Sequence, residues 1–81
     1  MTVRIIIFAR LREIVGAAER PLTLPSGALV RDAWAALAAE MPALSPLETS
    51  TRVARNGRII ATDEPLHDGD EIAFLPPVGG G

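Results

Sequence analysis

The sequence contains no cysteine and no lysine. The first absence excludes disulfides, thiolate metal sites and cysteine catalysis. The second means that all eight basic residues are arginines, leaving the α-amine as the one amine able to accept an acyl group. Aromatic residues are scarce. Trp34, Phe8 and Phe74 are the whole set, so the core is expected to be aliphatic. No apolar run approaches the ~20 residues of a transmembrane helix, and the stretch from Ile5 to Ala9 lacks the layout of a signal peptide. The cytoplasm is the expected location. The arginines are scattered and the formal net charge is −2, which argues against a surface that tracks nucleic-acid phosphates.

What is present fits one small domain. The chain has 81 residues, 48% of them hydrophobic and 22% charged, an ordinary balance for a globular protein. Residues 3–9 are β-branched and almost continuously apolar, which predicts a strand buried on both faces. Leu11, Ile14 and Val15 follow at helical spacing and Gly16 can close the turn, so a short helix is expected. Residues 20–25 alternate between two prolines, the pattern of an edge strand. The main helix is predicted from about Ala28 to Met41, with Leu29, Ala33, Leu37 and Met41 on one stripe widened by Val30, Trp34 and Ala38. Ser26 is the candidate cap and Pro42 helps end it. Residues 43–50 read as a loop with about one helical turn. Asn56-Gly57, both tolerant of positive φ, predicts a hairpin joining Arg52–Arg55 to Arg58–Ala61. After the polar turn His67-Asp68-Gly69-Asp70 comes a last strand, Glu71–Leu75. The two most apolar strands, first and last, are expected side by side inside one sheet with the long helix packed across it.

No set of side chains resembles an active site. His67, the single histidine, lies among Glu64, Asp68 and Asp70, where a solvated turn residue is the expected reading over a general base. Asp63, Glu64, Asp68, Asp70 and Glu71 lack the regular oxygen spacing of a calcium loop, and Pro65-Leu66 interrupts them, so no metal site is assigned. Asn56-Gly57-Arg58 is explained by hairpin geometry alone. Trp34 belongs to the apolar stripe and is expected to pack in the core or at its rim.

The end of the chain is different. Gly79-Gly80-Gly81 has no side chains to pack and loses the most backbone freedom on ordering. Pro76 and Pro77 lack N–H groups, stop sheet pairing and direct the tail outward. From Pro76 to Gly81 an extended chain reaches roughly 20 Å at ~3.3 Å per residue. Such a tail suits threading a narrow channel in another protein, where a bare backbone passes and side chains would clash. Its terminal carboxylate is sterically open to reaction at a nucleotide α-phosphate.

Phe8-Ala9-Arg10-Leu11-Arg12-Glu13, Asn56-Gly57, and His67-Asp68-Gly69-Asp70-Glu71-Ile72-Ala73-Phe74 followed by Pro76-Pro77-Val78 and Gly80-Gly81 give the chain a family resemblance. It resembles the small, sulfur-carrying subunits of molybdopterin synthase, which are ubiquitin-like β-grasp proteins, over essentially its whole length. The resemblance implies an α+β fold, a mixed sheet of about five strands with one long helix across it. Residues 1–77 would form the carrier domain and residues 78–81 a flexible Gly-rich tail. It implies a non-catalytic carrier, binding no cofactor, whose Gly81 carboxylate is adenylated by an E1-like enzyme using ATP and magnesium. A sulfur donor then makes the thiocarboxylate, and sulfur passes to cyclic pyranopterin monophosphate within the large synthase subunit, which holds the catalytic residues. The family's assembly is a heterotetramer. Partner contacts map onto Phe8, Ile59 and Leu75 on the sheet, and onto Pro76, Pro77, Val78, Gly79 and Gly80 leading into the channel. Leu75 departs from an aromatic common in the family, and Gly79 from a larger residue such as threonine. Neither nucleic acid nor membrane is an expected partner.

Three other readings share the Gly-Gly end or the fold. A related carrier could serve thiamine, cysteine or transfer-RNA thiolation, although the Asp-Gly-Asp-Glu-Ile-Ala-Phe-Leu-Pro-Pro-Val stretch favours the molybdopterin branch. A ubiquitin-like modifier would join Gly81 to lysines of other proteins. A β-grasp interaction module would use no covalent chemistry.

Overall fold

The computed structural model describes residues 1–76. Over them the chain forms β1 (Thr2–Ile7), α1 (Ala9–Val15), β2 (Glu19–Thr23), α2 (Val30–Glu40), a 3-10 helix (Pro42–Ser50), β3 (Arg52–Arg55), β4 (Arg58–Ile60) and β5 (Glu71–Leu75). The strands build one five-stranded sheet in the order β2-β1-β5-β3-β4. β1 and β5 pair in parallel at its centre, and the other neighbours are antiparallel. The first and last strands therefore lie side by side, as their apolar composition predicts, and the architecture is the expected mixed-sheet β-grasp.

Among the described residues, only one face of the sheet is covered. Along β1 the side chains of Val3, Ile5 and Ile7 are buried, while Thr2 and Arg4 are exposed and Ile6 is half-buried. The expectation that this strand is buried on both faces is thus incorrect. Three consecutive isoleucines look continuous in sequence, but the pleat sends the middle one to the other side. The inner face adds Leu22, Val53, Ile72 and Phe74, and α2 closes it with Val30, Ala33, Trp34 and Leu37. Trp34 meets Phe74 edge to face, with ring centroids 5.2 Å apart at 68°, the favoured geometry for two ring quadrupoles. Its indole Nε1 is buried with no hydrogen-bond partner among the described residues.

α2 begins two residues later than predicted, and its buried stripe is Val30, Ala33, Trp34 and Leu37; Leu29 and Met41 are only half-buried. Ser26 does not cap it. Leu29 occupies the cap position and donates its N–H to Asp32 Oδ2 at 2.7 Å, the returning half of a capping box. The stretch predicted as a loop with about one helical turn is helical throughout, as the 3-10 helix, with Leu44 buried in it. Ser50 and Thr51 hydroxyls both donate to the Leu47 carbonyl, at 3.2 and 2.7 Å. The two turn predictions hold: Gly16, at φ 82°, closes α1 by donating to the Arg12 carbonyl, and Asn56 and Gly57, at φ 50° and 81°, turn β3 into β4. None of the described helices is long and apolar enough to cross a membrane.

Candidate docking face beside the tail exit

The strand register shows what the uncovered face carries. Ile59 faces Ala54, Ala54 faces Ala73, Ala73 faces Ile6, and Ile6 faces Glu19, one row running across all five strands. The next row towards the end of β5 sets Arg52 opposite Leu75. Ile7 pairs with Phe74, and Phe8 keeps an extended backbone at φ −120° and ψ 154°. The alternation therefore continues, and Phe8 follows Ile6 onto the outer face next to Leu75.

The three residues that the family resemblance assigns to partner contact thus share one surface. Phe8 and Ile59, at 44% and 56% exposure, are the large hydrophobic side chains left most open to solvent among the described residues, while Leu75 and Pro76 are half-buried. Ala54 and Ala73 separate Ile59 from Phe8 and Leu75. Their short side chains leave a low floor between raised apolar groups. Ile6, Ala54 and Ala73 were not singled out from sequence, although the period-two pattern of β1, β3 and β5 contains the signal. The sequence-predicted contacts Pro77, Val78, Gly79 and Gly80, and the reactive Gly81, lie outside the described residues.

The opposite end of the sheet is held by the turn at residues 67–70. Thr2 donates its N–H to Asp68 Oδ1 at 2.8 Å, and Gly69, at φ 85°, donates back to the Thr2 carbonyl at 2.8 Å. Arg4 N–H reaches the Asp70 carbonyl, also at 2.8 Å. Asp70 Oδ2 accepts from His67 N–H at 2.8 Å and lies 3.3 Å from Arg55 Nε, both side chains being largely buried. The turn is a clasp that sets the register of β5 on β1, and hence where Pro76 leaves the sheet. His67 itself is exposed, in keeping with the turn reading. The carboxylates of Asp68 and Asp70 are spent on backbone N–H groups.

Arg4, on the outer face of this end, pairs with Glu19 at 3.0 Å and with Glu71. The hydrogen bond to Glu71, then the charges of Glu19 and Glu71, hold its guanidinium above its ordinary pKa. It is therefore a fixed cation at any physiological pH. A small cavity of about 20 Å³ between Val30, Trp34, Thr51 and Val53 has room for roughly one water and none for an organic substrate.

The outer face of the sheet thus carries an apolar patch beside the end of β5, where the described residues stop. The model of the ThiS family matches residues 5–81, and the chain belongs to that family. It is 37% identical over 81 residues to the molybdopterin synthase sulfur carrier subunit of Escherichia coli, covering 98% of this chain and 99% of that protein. It is 35% identical over 83 residues to the subunit of the same name from Chlamydomonas reinhardtii, with both chains covered in full. Among solved structures, the crystal structure of small archaeal modifier protein 1 from Haloferax volcanii superposes with a TM-score of 0.88 at 34% identity, covering both chains completely. The complex of subunits 1 and 2 of the molybdopterin-converting factor from Helicobacter pylori matches with a TM-score of 0.69 at 26% identity, again covering both chains. The resemblance drawn from the residues is the correct family, and the ubiquitin-like β-grasp is the correct fold.

Proposed function

We propose that this chain is the sulfur carrier of a molybdopterin synthase and acts without catalytic side chains of its own. The observation that carries the reading is the placing of Phe8, Leu75 and Ile59 on the one uncovered sheet face, at the end where β5 leads into the Gly-rich tail. In this reading an E1-like enzyme binds ATP and magnesium, and a Gly81 carboxylate oxygen attacks the α-phosphate and expels pyrophosphate. Hydrosulfide released by a sulfur donor then attacks the acyl carbon, AMP leaves, and a thiocarboxylate remains. The apolar face docks on the large synthase subunit, Pro76 and Pro77 steer the tail into its channel, and the sulfur passes to cyclic pyranopterin monophosphate. Thiocarboxylate sulfur suits the task because it is softer and less tightly hydrated than a carboxylate oxygen. Burial in a partner's channel keeps water from it. The absence of cysteine leaves no thiol on the carrier to intercept its own activated acyl group. The chain itself binds no cofactor, and the cycle belongs to the cytoplasm.

Intact mass spectrometry after incubation with the activating enzyme, ATP and a sulfur source tests this directly. The expected result is exchange of one oxygen for sulfur at Gly81. An unchanged mass under conditions that charge a relative sinks the proposal. Removing Gly80-Gly81 is expected to abolish transfer while leaving the fold intact; a pure interaction module would keep its function.

A second reading is favoured by one observation, the 36% identity to small archaeal modifier protein 1 of Haloferax volcanii. There the activated Gly81 would acylate lysine amines of other proteins. Recovery of Gly81 in isopeptide linkage from the source cell would establish it, whereas a thiocarboxylate terminus supports the carrier.

A further inference from the structure

The arginines of this chain fall into two groups. Arg4, Arg20 and Arg55 are each paired with carboxylates, on Glu19 and Glu71, Glu40, and Asp70 respectively. Arg10, Arg12, Arg31, Arg52 and Arg58 are exposed and make no ion pair among the described residues. Of these five, Arg52 and Arg10 are close in register or sequence to the Phe8–Leu75 pair beside the exit. Arg52 lies opposite Leu75 in the register, and Arg10 follows Phe8 by two residues in the first turn of α1. Away from the exit, Glu19 in the row of Ile6 and Glu71 in the row of Arg4 outnumber Arg4, with which both pair. The outer face is thus basic beside the exit and acidic beyond it.

The charge of Arg10 has no partner within its own helix. The first turn of α1 contains no acidic residue, and a cation there opposes the helix dipole.

We infer that the partner receiving the tail frames its apolar contact for Phe8, Leu75 and Ile59 with carboxylates, which meet Arg52 and Arg10. The occupant is an acidic-rimmed protein surface. Unpaired charges flanking an apolar patch act mainly on the rate of encounter and on orientation, because they remain solvated at the rim. The Arg52–Arg10 side therefore leads the tail into its channel, and the acidic region beyond it is repelled from that rim. The inference rests on the docking reading above, and it adds the sign of the partner's rim and the residues that sense it.

Association of the full chain with the large synthase subunit, followed by stopped-flow at low and high salt, tests it. Arg52→Glu is expected to slow association about tenfold at low ionic strength, with little change in dissociation. The difference should close near 1 M salt, where screening acts within about 3 Å. Arg10→Glu is expected to act in the same direction. Arg31→Glu, exposed on α2 and away from the sheet's outer face, changes net charge equally and should leave the rate within about twofold. Unchanged or faster association of Arg52→Glu overturns the inference, as does equal slowing by Arg31→Glu, which would reduce the effect to net charge. Ile59→Asp separates the two layers of argument. If it binds as well as the unmodified chain, the docking face is wrong. If it loses binding while Arg52→Glu associates normally, only the acidic rim is wrong. Absence of any association by the unmodified chain overturns both.

Discussion

The two faces of the sheet carry similar residues and meet opposite fates. Val3, Ile5, Ile7, Ile72 and Phe74 lie at or below 1% exposure beneath α2, while Ile6, Phe8, Ile59 and Leu75 stay partly or largely open on the other side. Hydrophobicity alone does not distinguish them. What differs is the covering layer: one helix closes one face, and the described residues supply no second layer. A contiguous apolar surface left open in this way is the candidate docking face of the proposed function.

The comparison is broken most severely from the inner side. Phe74→Ala removes a fully buried ring and its contact with Trp34, and is expected to cost about 3–5 kcal/mol of stability. A denaturant melt checks this, and a cost below about 1 kcal/mol would mean the inner face is not the core it is taken for. The same truncation on the outer face should behave oppositely. Phe8→Ala is expected to leave stability within about 0.5 kcal/mol yet weaken binding to the large synthase subunit by about 2 kcal/mol, measurable by titration calorimetry. If it destabilises the fold as much as Phe74→Ala does, the two faces are not functionally distinct.

Much of this division was readable in the residues, and its limits have physical causes. The central pairing of β1 with β5 followed from their being the most apolar segments, and the hairpin from Asn56-Gly57, because positive φ at two successive positions demands such residues. The facing of Ile6 was hidden because a run of isoleucines does not alternate in composition even though it alternates in space. The 3-10 helix was missed because Pro42 and Pro46 read as breakers, and its three-residue turn matches neither the helical nor the strand period. The cap on α2 was assigned to Ser26 by residue type, whereas Asp32 performs it from inside the helix. The grouping of Phe8, Ile59 and Leu75 came from family resemblance; the register is what explains it.

Two smaller changes sharpen the contrast. Asp70→Ala removes the acceptor for His67 N–H and leaves Arg55 half-buried without its partner, so a loss of about 1.5 kcal/mol is expected. It should loosen the β1–β5 clasp, and hydrogen exchange at Arg4 N–H, which donates to the Asp70 carbonyl, should accelerate more than exchange in α2. Uniform acceleration would show that the clasp is not a local device. The smallest effect is expected at Ala9, which sits at φ 48° immediately after Phe8. Relief of its left-handed strain outweighs the added chain entropy of glycine only slightly, so Ala9→Gly should stabilise by about 0.5 kcal/mol in a thermal melt. Destabilisation would mean that the alanine methyl contributes contacts that outweigh the strain of this turn.

The parallel pairing of β1 with β5 has a consequence for how the molecule comes into being. The central ladder joins residues 2–7 to residues 71–75, so its contact order is high, and loop closure must be accomplished across almost the whole chain before that pairing stabilises anything. Phe8 and Leu75 become neighbours only when that pairing forms. A partner that recognises both at once is reading a junction that no nascent or truncated chain possesses. On the docking reading proposed above, binding would thereby select the completely folded chain.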